Sequence, residues 1–253
     1  MKLVAVLRIK NEMPVVEECL SKLSSLVDEV IVLDNGSTDG TLDCYKKFAK
    51  IVEILHTEGY HEGRDKCLLL EAVKKRNPDW ILWIDGDEIF EKNFTRKEIE
   101  KYMQSPYNQI LFRMFNFWLS KEDYRIDGDF FRYTIQPQRS MWRNIEGAYF
   151  SNKKMHNGGI RGINSKIYLS PYRLKHYGYR DQEKIKSKYQ TYMQEDSQRW
   201  QDYQNLNLNR PSKIIKLKFW EFNNPIINLT HITIIKQVAN WLWFFVKVKS
   251  KFS

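Results

Sequence analysis

Four apolar runs, separated by helical stretches, dominate the first ninety residues. LVAVLRI (3–9), EVIVLD (29–34), IVEIL (51–55) and WILWI (80–84) are apolar almost throughout. All four read as strands, the first two as strands buried on both faces. Pro14 can open a helix, where its missing N–H is not required. Val15, Val16, Cys19, Leu20, Leu23 and Leu26 then form a helical stripe. Residues 41–49 and 64–76 read as two further helices, the second with Leu68, Leu69, Ala72 and Val73 on one face. Thr95 and Glu98 have capping-box spacing for a helix running to about Met103. The order βαβαβαβ predicts a parallel sheet covered by helices. Such a sheet binds ligands at the carboxyl ends of its strands, near the switch in strand order.

Beyond residue 105 the pattern changes. QILFRMFNFWL (109–119) predicts an aromatic strand, a loop-rich stretch with short strands follows to about 175, and 181–203 reads as a charged helix. With no internal repeat or low-complexity linker, the expected organisation is a catalytic domain over 1–210 and a helical extension over 211–253. The domain divides into a nucleotide-binding half, 1–105, and an acceptor-side half, 106–210. The extension holds seven lysines and one glutamate, with Trp220, Trp241, Trp243, Phe244 and Phe245 among them. Aromatics beside lysines suit an anionic membrane surface; a terminal helix packed on the domain with its lysines solvated is the plainer alternative.

A net charge of +10 implies an anionic partner: a phosphorylated substrate, a nucleic acid or a membrane surface. No nucleic-acid motif is present. Cys19, Cys44 and Cys67 are odd in number and widely spaced, which argues against a disulfide framework and for a reducing cytoplasm. The first residues are too soon interrupted by charge for a signal peptide. No uncharged apolar stretch reaches eighteen residues, so no membrane span is expected. The expected location is cytoplasmic, with peripheral attachment to the inner face of a membrane through 211–253.

WILWI runs straight into Asp85-Gly86-Asp87-Glu88. Three carboxylates at the end of a buried strand repel one another and lose solvation, and a divalent cation relieves both penalties. Hard oxygen ligands favour Mg2+ or Mn2+ over zinc. A solvated acidic loop is the bland alternative. Asp127-Gly128-Asp129 has the same spacing but follows no comparable apolar run, which favours the first cluster as the metal site.

LRIKNE, VIVLDNGSTDGT and WILWIDGDE, in this order, resemble the successive motifs of family 2 glycosyltransferases, closely over residues 3–90 and more loosely through LKHYGY (174–179). The resemblance implies a glycosyltransferase A type fold, a nucleotide-binding α/β sandwich on a mostly parallel sheet. It places Arg8, Asn11 and Glu12 at the nucleotide, and Asp34 with Asn35 at base or ribose. The family's usual second aspartate is an asparagine here, and an amide donates as well as accepts. Gly36, Ser37 and Thr38 read as turn formers. Arg64 would pair with donor phosphate, or else with Asp65 at a helix start. Asp85, Asp87 and His176 would form the metal site, with Asp87 ligating the metal, Asp85 contacting ribose or a metal-bound water, and His176 completing the site. Glu88 is a weaker candidate beside the metal, and His156 is the rival histidine.

The implied reaction moves a sugar from a nucleoside-diphosphate sugar to a glycan, lipid-linked or protein hydroxyl, with inversion, in glycan or lipopolysaccharide-type synthesis. A metal and basic side chains stabilise the leaving diphosphate, and a carboxylate takes the acceptor proton. Asp127 and Asp129 have the chain position of that base, with Glu146 behind them. Phe115, Phe117, Trp118 and Tyr124 could stack on sugar but suit core packing better. Three rivals share features: a phosphatase of the haloacid dehalogenase type, which carries its DxD on the first strand, a nucleotidyltransferase, and a non-catalytic nucleotide-sugar-binding module.

Overall fold

The computed structural model describes residues 1–128, 130, 139–163, 166–199, 203–209 and 215–221. Asp129 and most of 211–253 lie outside them. Strands β1 (Leu3–Ile9), β2 (Glu29–Asp34), β3 (Ile51–His56) and β4 (Trp80–Asp85) form the expected parallel unit, in the order β3-β2-β1-β4. Between them run α1 (Val15–Ser24), α2 (Thr41–Tyr45) and α3 (Glu62–Lys75).

Burial on two sides explains the continuous apolar runs of β1, β2 and β4, whereas β3, at the edge of the sheet, alternates between half-buried and exposed residues. Leu3, Ala5, Leu7 and Ile9 share one core with Val16, Cys19, Leu20 and Leu23 of α1. Val4 and Val6 face the other way, into a core with Leu69, Leu70, Ala72 and Val73 of α3. Each full burial of such an aliphatic side chain stabilises the fold by about 1.5–3 kcal/mol.

The second half extends the same sheet. β5 (Glu88–Phe90) follows β4 after a turn, and α4 (Arg96–Gln104) leads to β6 (Gln109–Trp118), β7 (Asp123–Arg125) and β8 (Arg139–Arg143). β8 pairs antiparallel with β4 and with β6. β9 (Ile167–Tyr179) runs parallel to β6 and antiparallel to β5. α5 (Gln182–Glu195) then packs on β9. The described part of the 211–253 stretch contains β10 (Leu217–Phe219), a short strand against β7 where a helix was expected.

Some local expectations shift. Thr95 is the N-cap of α4, but its side chain makes no capping bond; Glu98 bonds Lys101 and Tyr172 instead. α5 stops at Glu195 rather than 203, and just beyond it the Asp196 carboxylate accepts from the Tyr203 hydroxyl and contacts His156. Phe115, Phe117, Trp118 and Tyr124 are all buried in aromatic packing, among them Phe115 against Tyr124 at 5.1 Å and Phe117 against Trp220 at 5.5 Å. The three cysteines are free thiols. Among the described residues no helix is long and apolar enough to cross a membrane.

Candidate active site

Register brings the chemistry together at one edge. Arg8 on β1 lies beside Asp85 on β4, and Ile9 beside Asp34 on β2. The carboxyl ends of the three central strands therefore carry Arg8, Asp34 and Asp85. Burial would lower the Arg8 pKa, but Asp85, Tyr60, Glu62 and Asp65 outweigh it and raise it. Its Nη1 is buried without a hydrogen-bond partner, and the Tyr60 ring lies 5.6 Å from the guanidinium.

Asp34 and Asn35 shape the edge rather than point from it. Asp34 accepts from the Ser37 N–H at 2.8 Å and the Tyr45 hydroxyl at 2.7 Å. Asn35 donates its amide to Thr57 Oγ1 at 2.8 Å and Gly59 O at 3.0 Å. A carboxylate could not make the second bond, which accounts for asparagine where the family pattern has aspartate. Gly36 takes the turn at φ +76°. Asn11 ties the first two loops together: its N–H donates to Ser37 Oγ and its Oδ1 accepts from the Thr38 N–H. Arg64 makes the alternative pairing, with Asp65 at 2.8 Å and the carbonyls of Glu58 and Gly59 at 3.0 Å.

The acidic loop closes around Gly86. A Cβ there would lie 2.7 Å from the Ile9 side chain, so only glycine lets the turn sit against β1. The turn leads into β5, whose register sets Glu88 opposite His176 on β9. Asp87, Glu88 and His176 are all buried, and a ligand atom from each lies within 4.8 Å of the others. Asp85, expected among the metal ligands, is outside this group, and Glu88 takes the third place. The Asp85 backbone N–H instead donates to Glu88 Oε2 at 2.9 Å.

His176 is held by Asn116 on β6, with Nδ1 2.5 Å from Asn116 Oδ1. With Nδ1 directed at Asn116, Nε2 is the ring nitrogen turned toward Asp87, 3.2 Å from its Oδ2. An imidazole fixed through its other nitrogen is how proteins present histidine to a metal. Gly178 completes the space. A Cβ on it would lie 2.5 Å from both Asp87 Oδ2 and His176 Nε2. Glycine thus leaves a cradle where two carboxylates and an imidazole converge, a donor set that fits Mn2+ or Mg2+.

Helix α5 covers this cradle, a placement the sequence does not reveal. Lys188 Nζ lies 3.1 Å from Asp87 Oδ2. Lys184, one turn earlier, pairs with Glu12 at 2.9 Å and donates to Asn11 O. Arg180 holds the other Glu12 oxygen at 2.9 Å. Glu12 is therefore a clamp between β1's loop and α5. Burial would raise the Asp87 carboxyl, but the Lys188 ammonium and His176 outweigh it and hold the pKa well below the usual range. Burial and the charge of Asp87 raise Glu12 instead.

The remaining candidates sit apart from this group. Asp127 is held by Arg125 in two bonds of 2.7 and 2.8 Å. Its pKa is lowered: burial would raise it, but Arg125 prevails. Glu146 is exposed at a turn. His156, at φ +58°, bonds Asp196 at 2.8 Å and Tyr203 at 3.1 Å instead of joining the buried trio.

Residues 5–168, more than half of the chain, match the family described as Glycosyl transferase family 2. The chain belongs to that family. Among relatives of this family 2 chain, an uncharacterized glycosyltransferase of Rickettsia bellii is 33% identical over 108 residues, which is 43% of this chain and 34% of that protein. The glycosyltransferase SunS of Bacillus phage SPbeta is 31% identical over 85 residues, 32% of this chain and 19% of that protein. The matched stretch thus spans about a third of the length of the Rickettsia relatives. The crystal structure of S. aureus TarS 1–349 in complex with UDP-GlcNAc is 16% identical, with a TM-score of 0.49 over 82% of this chain and 72% of that one. The α/β sandwich of this family 2 chain, with its mostly parallel central sheet, is of the glycosyltransferase A type that the motifs imply.

Proposed function

We propose that this chain transfers a sugar from a nucleoside-diphosphate sugar to a hydroxyl acceptor, with a divalent Mn2+ or Mg2+ ion, in glycan or lipopolysaccharide-type synthesis. The observation that carries the reading is the buried Asp87–Glu88–His176 group at the carboxyl edge of the parallel sheet, in a chain of family 2. Asp87, Glu88 and His176 would hold the ion, which when bound supplies positive charge for the leaving diphosphate.

The chain's own residues do the rest. Arg8, with a buried unpartnered Nη1, offers a donor to diphosphate or ribose, beside Asp85. Asp34, Asn35 and Asn11 fix the loops that would frame the nucleotide, and Glu12 anchors α5 across them. In this reading Arg64 reaches phosphate only by leaving Asp65. Residues 1–105 form the donor half and 106–210 the acceptor half. Transfer is a single inverting displacement, and the base is a carboxylate on the acceptor side. For Asp127 to serve, Arg125 must release it, since a pKa lowered by an arginine makes a weak base; Asp129 lies outside the described residues. The stretch 211–253 brings the enzyme to an anionic membrane surface, where a lipid-linked acceptor would lie.

The test is a thermal-shift panel of UDP-, GDP-, CMP- and dTDP-sugars, with and without Mn2+, on wild type and Asp87→Ala. A ligand at a hundredfold excess over Kd stabilises by about 2.7 kcal/mol. A shift for one nucleotide class that requires both metal and Asp87 supports the reading and names the donor base. No shift with any nucleotide, in folded protein, overturns it.

A further inference from the structure

Lys188 occupies the place where a metal ion would sit. Its ammonium lies 3.1 Å from Asp87 Oδ2 and 3.4 Å from His176 Nε2, the two atoms that the metal reading assigns as ligands. It stands in the cradle left by Gly178, since a Cβ at that position would come nearer to Lys188 Nζ than to Asp87 or His176. The Tyr179 ring, 4.9 Å from Nζ, forms another wall. The side chain is only 23% exposed although it ends in a charge.

The placement is built in. Asp181 caps α5 by accepting from the Lys184 N–H at 2.8 Å. Lys184 and Lys188 are four residues apart and so share a helix face. The first is fixed by Glu12, and the second is thereby aimed at Asp87. An ammonium at hydrogen-bonding distance from these ligand atoms leaves no room for a divalent ion at about 2.0–2.2 Å from them. Two cations in one cradle would also repel strongly in a poorly solvated site.

We propose that Lys188 is the resident cation of the unloaded site, and that a divalent metal binds only by displacing its ammonium from Asp87 and His176. The proposal rests on the metal reading above. The site then exchanges a single charge tethered to α5 for a free double charge. Asp87 stays neutralised throughout, and metal loading releases the ammonium on the side of the site where α5 lies.

The full chain is titrated with Mn2+ by calorimetry, as wild type, as Lys188→Met, which keeps the stem and removes the charge, and as Lys188→Gln. Displacement predicts at least tenfold tighter Mn2+ binding by both variants, together with a lower melting temperature than wild type in chelator. A second readout uses wild type alone: acylation of Lys188 by an amine-reactive reagent, followed by peptide mass spectrometry, rises severalfold when Mn2+ is added. Equal or weaker Mn2+ binding by the variants, or Lys188 labelling that Mn2+ leaves unchanged, overturns displacement while the metal reading stands. No Mn2+ binding by any of the three proteins overturns both.

Discussion

Asn116 Oδ1 and His176 Nδ1 lie 2.5 Å apart, joining register partners near the C-terminal ends of β6 and β9. Both residues are buried. This bond decides which imidazole nitrogen faces Asp87. Asn116→Leu keeps most of the volume and removes the acceptor. Outer partners of this kind commonly contribute 10–100-fold to metal affinity. Mn2+ affinity by calorimetry should fall by about that factor with the far-UV spectrum unchanged. Wild-type affinity in the variant would mean that Asn116 does not orient His176 for a metal.

Gly178 tests the cradle directly. Its φ is not in the left-handed region, so a side chain there meets only steric resistance, and the atoms it meets are Lys188 Nζ, nearest of all, and Asp87 Oδ2 and His176 Nε2 at 2.5 Å. Gly178→Ala should abolish metal-dependent donor binding and lower the melting temperature. Gly159→Ala has open space and no positive φ, and should leave both unchanged. Donor binding by Gly178→Ala at the wild-type level would show that the cradle is not used.

Glu91 and Arg173 form a buried pair distant in sequence. Glu91 accepts from the Arg173 backbone N–H at 2.7 Å and from its guanidinium at 2.8 and 3.1 Å. The Arg173 guanidinium also lies 3.8 Å from the centre of the Trp220 ring. Removing one partner strands a buried charge, a loss of about 3–5 kcal/mol. Glu91→Leu and Arg173→Met should each lose stability on that scale in urea unfolding. The double replacement should lose less than the sum, and a fully additive result would show that the two do not interact.

The ion pairing around Glu29 gives a pH signature. Arg76 bonds both carboxylate oxygens, at 2.9 and 3.1 Å, and Lys2 lies 2.9 Å from one. Arg76 above all holds the Glu29 pKa down at about 2. In the unfolded chain the value is about 4.3. A lowered folded pKa contributes stability that is present in full above the unfolded value and is lost as pH falls toward 2. Glu29→Gln should therefore be less stable than wild type at neutral pH and approach it as pH falls through this window. Chemical unfolding at a series of pH values checks this, and a difference that does not change with pH would remove the Glu29 titration as its cause.

Legibility in the sequence follows burial. β1 and β2 begin and end where the apolar runs do, because strands buried on both faces are apolar except near their ends, where Arg8, Glu29 and Asp34 lie. β9 looks loop-like because IYLSPYRLKHYGY mixes cations with a proline. Yet Pro171 falls where the β6–β9 register shifts, and Arg173 is neutralised by Glu91, eighty-two residues away. A partner that remote leaves no local trace. Asp87 was visible as a carboxylate ending an apolar run. Glu88 joins it because β5 opposes β9, and Lys188 because α5 lies across the edge. The Lys184–Lys188 spacing is written in the sequence, but on a helix that reads as solvated.

Asn35 is where this chain departs from its family's usual aspartate, and the departure is testable. Its amide nitrogen donates to Thr57 Oγ1 and to Gly59 O. Thr57 Oγ1 in turn lies 3.3 Å from Asp65 Oδ1, to which it donates. A carboxylate at 35 would face the Gly59 carbonyl with no proton between them and would bring a second negative charge toward Asp65. Leaving buried groups unpaired in this way costs about 1–3 kcal/mol, more where a charge is involved. Asn35→Asp should therefore lower stability by at least that amount at neutral pH, despite restoring the family's residue, and should loosen the loop that carries Glu58 and Gly59. Hydrogen exchange of the amides around residues 57–60, alongside chemical unfolding, reads both effects. Unchanged stability with unchanged exchange would mean that the Asn35 amide bonds do not hold that loop.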